Sequence, residues 1–491
     1  MNAVANLDVR SRALSALRAI RPAMTVIADD EGLKPFETDA FIAHRETPML
    51  AVLPDNEEQV REIVKACRAL GVPVVSRGAG TGISGGAIPH PEGVLLVLSK
   101  MKRIDEVNAL ARSATVQPGV RNLQVSEAAA HLGLFYAPDP SSQSICSIGG
   151  NVAENSGGVH CLKYGLTTHN LLAVRAIDAD GDVVEAGSLA LDAPGYDLLA
   201  LLTGSEGNLG VITRVTVRLV PLPERTETLL AAFPSVRQAA EAVGEIIGAG
   251  VIPAALEMMD RIVIEACERF MAMGFPKGAE ALLLAEVDGG REETQEALDA
   301  VQAILARCGA SEVRVAATAA ERDRLWKSRK GAFTALATIL PDYYTIDGTI
   351  PRRCLPGVLD EIARLSIEYG MIVGNVFHAG DGNIHPCIFY DANQPGELER
   401  SEEFGGRILE LCVAVGGTIT GEHGVGIEKL KQMCVQFRAP ELAAFHDVKA
   451  AFDPRGILNP GKAVPTLKRC AEWGGMHVHG GRVPHLGIPR F

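Results

Sequence analysis

No Cys-x-x-Cys occurs in the 491 residues. The ten cysteines (Cys67, Cys146, Cys161, Cys267, Cys308, Cys354, Cys387, Cys412, Cys434 and Cys470) are scattered. That excludes an iron–sulfur motif of the chain's own and fits unpaired thiols in a reducing compartment. Any one-electron relay would sit on another subunit. Basic excess is missing too. The net charge of −13 argues against nucleic acid, whose binders cluster Lys and Arg, and against tight electrostatic binding to anionic lipid. No apolar run reaches the ~18–20 residues of a membrane span. Met1 to Ile20 carries Asp8 and several arginines but no continuous apolar core, so it reads as neither a secretory signal nor a transit peptide. Low-complexity segments are absent. What is present, 47% hydrophobic and 22% charged residues, is ordinary for a globular enzyme of two or three domains.

In chain order, residues 9–20 read as a short amphipathic helix, Leu50–Leu53 as a strand, Val60–Leu70 as a helix ended by Gly71, and Pro73–Ser76 as a strand. This is one βαβ-type unit. The strand runs into Arg77-Gly78-Ala79-Gly80-Thr81-Gly82-Ile83-Ser84-Gly85-Gly86, whose successive backbone N–H groups suit a phosphate or pyrophosphate. A nicotinamide Rossmann fingerprint needs a long helix next. Gly93–Leu98 reads instead as another strand, so that reading is rejected. Further glycine-rich blocks span residues 137–158 and 203–212. Strands are expected at Ala114–Val116, Leu172–Asp178, Val183–Glu185 and Val211–Val220. Three such loops between strands suit a large flat ligand gripped by backbone.

Pro221-Leu222-Pro223 marks a boundary. Beyond it, strand, helix and strand recur at Thr228–Phe233, Val236–Ile247 and Ala255–Met259. The pattern repeats at Ala281–Glu286, Glu292–Cys308 and Glu312–Val315. Two such passages suit an α+β domain with a sheet covered on one face by helices. Helical stretches follow at 316–337, 358–369, about 427–435 and 440–451. In the tail, His477-x-His479 has metal-ligand spacing, although a docking tail with incidental histidines accounts for it more simply.

The stretch around which the rest is organised is 373–387, Val-Gly-Asn-Val-Phe-His-Ala-Gly-Asp-Gly-Asn-Ile-His-Pro-Cys. Asp381-Gly382 between alternating apolar residues predicts a two-residue type I′ hairpin. In that register His378 faces His385, with Cβ atoms ~5 Å apart. Two adjacent imidazoles are half of a divalent metal site, although spaced histidines are also ordinary polar residues. Glu422-His423 would add a carboxylate and another imidazole. A divalent cation beside a flavin would coordinate the hydroxyl and carboxylate of a small 2-hydroxy acid and lower the hydroxyl pKa. A histidine, with His423 as candidate, would take that proton, and the Cα hydrogen would leave as hydride to the flavin. Arg329 is the candidate clamp for the substrate carboxylate, with Arg352 and Lys330 as rivals. By spacing alone Arg329 fits a solvated helix face.

The three glycine-rich blocks resemble the FAD-binding domain of the vanillyl-alcohol-oxidase/p-cresol-methylhydroxylase (PCMH) type. His378-Ala-Gly-Asp-Gly-Asn-Ile-His385, Gly421-Glu-His-Gly-Val-Gly426, Asp347-Gly-Thr-Ile-Pro-Arg-Arg353 and Phe452-Asp-Pro-Arg-Gly-Ile-Leu-Asn-Pro-Gly-Lys462 resemble the FAD-linked D-2-hydroxyacid dehydrogenases, among them the FAD-linked subunits of bacterial glycolate oxidases. Pro341-Asp342-Tyr343-Tyr344 and Arg469-Cys470-Ala471-Glu472 belong to the likeness. It implies an α+β chain: a two-lobed PCMH-type FAD domain (1–223), an α+β cap domain with an antiparallel sheet (224–420), and a C-terminal segment returning to the FAD domain (421–491).

Residue by residue, the resemblance implies that Arg77, Gly78, Ala79, Gly80, Thr81 and Gly82 hold the FAD pyrophosphate. Pro138, Asp139, Gly149, Gly150, Asn155, Gly157 and Gly158 would line the flavin and ribityl region. Glu206, Gly207 and Ile212 would meet the adenine end, and Asn459 the isoalloxazine. His378, His385 and Glu422 would ligate zinc, with manganese or iron as alternatives. His423 would be the base and Arg329 the clamp. Without a histidine in the 77–86 loop, FAD would be non-covalent. Family members carry a lysine and an asparagine where this chain has Thr345 and Cys387, which suits a small acid with no second carboxylate. The implied activity is oxidation of glycolate to glyoxylate, with D-lactate or another D-2-hydroxy acid as the alternative substrate and a non-catalytic flavoprotein subunit as the alternative role. The implied partners are a second FAD-binding-like subunit and an iron–sulfur subunit passing electrons toward quinone. The implied location is cytoplasmic, peripheral on the inner membrane through those partners.

Overall fold

The structure, a computed structural model, describes residues 3–190 and 195–465. The tail motifs, 469–472 and His477-x-His479, lie outside the described residues. The chain divides into two compact units. One takes residues up to Ser156, Leu166–Pro221 and the chain from His423 on; the other takes Gly157–Gly165 and Leu222–Glu422.

The first unit holds two main sheets. Thr25–Ile27, Leu50–Leu53, Val94–Val97 and Val74–Arg77 lie in that order, the last three parallel. The helix Glu57–Leu70 joins two of the parallel strands. Asn56 caps its start, its side chain accepting from the Gln59 N–H, and Gly71 ends it at φ +66°, a conformation that costs glycine little. Val60, Ile63, Val64 and Cys67 form its buried stripe, the spacing of one helix face. They pack on Leu50, Val52, Val74 and Leu96. The second sheet is antiparallel, ordered Ile104–Asn108, Ser113–Val116, Val211–Arg218, Leu171–Ile177 and Val183–Gly187. Near the C-terminus the chain returns to the first sheet, where Leu458 bridges Val74 in parallel.

The second unit is built on an antiparallel sheet. It begins Glu312–Val315, Arg225–Phe233, Ala281–Gly289, Ala255–Asp260, Val373–His378. Its first four strands and the helices Val236–Gly248 and Arg291–Arg307 make two interleaved strand–helix–strand passages, the split βαβ pattern. One sheet face carries Leu230, Met259, Leu282, Leu284 and Val376 under the helices Arg261–Met271 and Ala332–Leu336. Farther along, the same face turns polar. Residues 157–165 belong here: His160 Nε2 lies 3.2 Å from Glu286 Oε1, and Lys163 and Tyr164 both donate to the Asp288 carboxylate at 2.5 and 2.6 Å.

The hairpin differs from the expected one. His378 pairs with Asn383, and Gly374 with Cys387. The register is therefore two residues off the expected one, and the turn holds four residues, 379–382. Only Gly382 of the Asp-Gly pair has positive φ, +85°, whereas a type I′ turn needs both. The Gly382 N–H instead donates to the His378 carbonyl, and the Asn383 N–H to the Asp381 side chain. Because side chains alternate with period two, a slip of two keeps both histidines on one face. They stand diagonally, ring centroids 5.1 Å apart at 87°.

Candidate active site

In the second unit, His378 ends its strand and His385 lies between Asn383–Ile384 and Pro386–Tyr390. Both are buried. Each Nε2 lies 3.2 Å from Glu422 Oε1, and the three atoms fall within 4.8 Å of one another. The other ring nitrogens are anchored. His385 Nδ1 is 3.1 Å from the Ile346 carbonyl, and His378 Nδ1 is 2.8 Å from Glu257 Oε1. Both partners only accept hydrogen bonds, so each Nδ1 carries a proton, and a neutral ring then has a bare Nε2. Three acceptor atoms thus converge, which is stable only around a cation or a shared proton. Burial disfavours the charged form of His378, yet Glu257 and Glu422 overcome this and raise its pKa well above the usual value. Burial likewise works against the Glu422 carboxylate, but the two histidines hold its pKa well below the usual range. Two imidazoles and one carboxylate with anchored outer nitrogens match the chemistry of a divalent-cation site; zinc, manganese and iron all fit such donors.

Two residues that sequence reasoning missed build this centre. Asp347, fully buried, accepts from Thr420 Oγ1 at 2.6 Å, from the Gly421 and Glu422 N–H groups at 3.1 and 3.2 Å, and from Asn383 Nδ2 at 2.9 Å. It thereby fixes the loop that carries Glu422. Position 421 must be glycine, because a Cβ there would collide with the Asn383 amide. The second is Glu257, directly opposite His378 across two strands. Its one sequence signal is an acid inside the apolar run Ala255–Met259.

Arg329 does not lie on a solvated face. It ends the helix Ala319–Lys330, is 1% exposed, and donates through Nε to Glu257 Oε2 at 2.7 Å. Its Nη1 has no partner among the described residues. The rival Arg352 donates to the Gly380 carbonyl at 3.0 Å. His423 follows Glu422 by one peptide bond and is half-buried; it falls in the first unit.

In the first unit the glycine-rich loops converge. Gly78 sits so close to Ser147, the cap of the helix Ile148–Glu154, that no side chain would fit. Arg77 is buried and folds back over Gly80, donating to the Thr38 carbonyl at 2.8 Å. Ala79 is exposed, while Thr81 and Gly82 are half-exposed. Gly149 presses on Pro118, and Gly150 lies beside Ser147. Pro138 accepts from Asn122 Nδ2, and Asp139 is buried. Gly207 lies against Ser76 and near the Asn459 amide. Asn459 Nδ2 donates to the Gly86 and Glu206 carbonyls at 3.0 and 2.6 Å. Glu206 is a buried anchor, accepting from the Val425 and Gly426 N–H groups, each at 2.7 Å. Ile212 joins the apolar core of this unit, whereas Gly157 and Gly158 fall in the other unit.

These residues fit a nucleotide cofactor. Glu206 holds left-handed backbone, φ +51°, a strain that a glutamate rarely carries without a functional reason; Asn155 (φ +54°) caps the helix Ile148–Glu154, and Asn459 (φ +41°) is a residue type that tolerates this region. Asn459 Oδ1 is buried without a partner among the described residues.

Comparison with known proteins places this geometry. Residues 48–187 match the family described as FAD binding domain, and 222–463 match FAD linked oxidases, C-terminal domain. The chain is 58% identical to the glycolate oxidase subunit GlcD of Escherichia coli, covering 98% of this chain and 97% of that protein. It is 39% identical to the Bacillus subtilis GlcD (87% and 91% covered) and 34% identical to a D-lactate dehydrogenase of Archaeoglobus fulgidus (88% and 95% covered). The fold is similar to that of p-cresol methylhydroxylase, with a TM-score of 0.79 at 17% identity, covering 94% of this chain and 98% of that one. An FAD-binding, PCMH-type mixed helix-and-sheet fold, a buried His–His–Glu centre and full-length relatives together make this chain a member of the FAD-linked oxidase family, alongside the glycolate oxidase GlcD subunits and the D-lactate dehydrogenases.

Proposed function

We propose that the chain oxidises glycolate to glyoxylate, using FAD and a divalent cation at His378, His385 and Glu422. The observation that carries the reading is the meeting of three acceptor atoms, each held from behind, in a chain 58% identical to a glycolate oxidase subunit. When bound, the cation would polarise the substrate hydroxyl and FAD would accept the hydride. The chain's residues do the rest. His378 and His385 present bare Nε2 atoms, and Asp347 aims the Glu422 carboxylate. Arg329 donates to the substrate carboxylate through its Nη groups. His423 takes the hydroxyl proton on a ring nitrogen. The loops Arg77–Gly82, 138–158 and 206–207, with Asn459, hold FAD non-covalently.

With no Cys-x-x-Cys of its own, the chain passes electrons to an iron–sulfur partner in a complex that includes a second FAD-binding-like subunit. In this reading its place is cytoplasmic, at the inner membrane only through those partners. No described helix is long and apolar enough to cross a membrane.

The test is anaerobic addition of glycolate to the purified flavoprotein. Loss of the visible flavin band marks hydride delivery; a band that stays unchanged rejects the activity, and with it favours a non-catalytic subunit. The D-lactate dehydrogenase relative supports a second reading, which kcat/KM for glycolate, D-lactate and D-2-hydroxyglutarate separates.

A further inference from the structure

One carboxylate serves both the metal ligand and the substrate clamp. Glu257 is 1% exposed, and its oxygens lie 2.8 and 3.0 Å from His378 Nδ1. Oε2 also accepts from Arg329 Nε at 2.7 Å, with Nη2 at the same distance. Building on the function proposed above, we infer that Glu257 is a positioning residue: it holds His378 as a ligand and turns the Nη end of Arg329, not its Nε side, toward the substrate.

The sheet sets this arrangement. Glu257 and His378 are directly paired across antiparallel strands, so the carboxylate faces the imidazole without depending on a long flexible reach. A carboxylate only accepts, so the proton of His378 stays on Nδ1 and the Nε2 lone pair points at the cation position. Such outer partners of ligating histidines typically change metal affinity 10- to 100-fold when removed. On the other side, Glu257 occupies the Nε and Nη2 side of the guanidinium. Bidentate capture of a carboxylate on the Nε side of Arg329 is thereby blocked, which leaves the outer N–H groups of Nη1 and Nη2. Phe333, its ring centre 6.0 Å from Arg329 Cζ, adds no acceptor. A substrate carboxylate therefore meets Arg329 only end-on, through the Nη groups.

A neutral amide loses the charge that both partners share, and whichever way it sits its NH₂ faces a donor, His378 Nδ1 or Arg329 Nε. The test therefore compares wild type with Glu257→Gln, both with FAD bound. Retained zinc or manganese is measured by atomic emission against graded chelator, FAD by absorbance, and KM and kcat for glycolate at saturating added metal. The expected result is metal affinity lower by ~10- to 100-fold with FAD unchanged, and a KM that stays raised after metal has restored most of kcat. Unchanged metal affinity overturns the inference. So does a KM that returns to the wild-type value once metal is saturating, since Arg329 would then be unaffected. Wild-type protein that retains no metal overturns instead the proposed function, a separate outcome. If Glu257→Gln fails to fold, Glu257→Asp decides, because its carboxylate is drawn back from both partners by one methylene: lowered metal affinity with raised KM supports the inference, and wild-type values of both overturn it.

Discussion

His378 and His385 meet Glu422 because three separate backbone constraints agree: a four-residue turn, the strand register, and the carboxylate of Asp347 behind the 420–422 loop. Their residue types and local spacing were legible in the sequence. The register was not, because Asp-Gly with alternating flanks predicts a tighter turn, and a glycine at one position permits a longer one as well. Glu257 stayed hidden because it lies 121 residues before His378, and pairing across that distance leaves no local pattern. His378→Ala and His385→Ala are each expected to lose bound metal and glycolate oxidation while keeping FAD, as measured by metal analysis and flavin absorbance. Asp347→Asn would turn an NH₂ toward N–H and hydroxyl donors. Leaving buried donors unmet costs ~1–3 kcal/mol each, so unfolding free energy from urea titration should fall by about 3 kcal/mol, with weaker metal retention.

Elements with strong periodicity were legible nearly to their ends, as with Glu57–Leu70 and Arg291–Arg307. Others were not. Ile104–Asn108 is an edge strand whose exposed Asp105 and Glu106 break the apolar alternation, a common guard against edge pairing. Arg261–Met271 starts directly after a strand, and Ile262-Val263-Ile264 reads as more strand. What starts the helix is Asp260, whose side chain accepts from the Val263 N–H at 3.1 Å and from the Asn375 N–H and Nδ2 at 2.7 and 2.8 Å. Burial raises its pKa from 3.8 to about 6, against the lowering effect of those hydrogen bonds. A folded pKa above the unfolded one means the contribution to stability is full below about 4 and is lost as pH rises through about 6. Roughly two pKa units correspond to about 3 kcal/mol. Wild-type unfolding free energy should therefore drop by up to that amount relative to Asp260→Asn between pH 4 and 7, read from urea titrations at each pH.

For the whole molecule, the Pro221–Pro223 break lies where the chain passes from one unit to the other, whereas the C-terminal return was implied by the family resemblance and had no signal in composition or periodicity. The assignment of 157–165 to the second unit was not legible, because its anchors, Glu286 and Asp288, lie more than 120 residues away. The proposed FAD loops lie almost wholly in the first unit and the His–His–Glu centre in the second. FAD added to the apoprotein at 100 times its Kd should stabilise it by about 2.7 kcal/mol, seen as a raised thermal midpoint. His378→Ala should show the same rise; a lost rise would mean the two ligands' sites are not energetically separable.

The nine residues from Gly157 to Gly165 fall inside the FAD-binding family match yet fold with the later half of the chain. Chimeras that join the front of one relative to the back of another would therefore inherit mismatched partners for Glu286 and Asp288. Gene shuffling within this family should succeed more often when that short stretch travels with the C-terminal donor, whatever the crossover point chosen near Pro221.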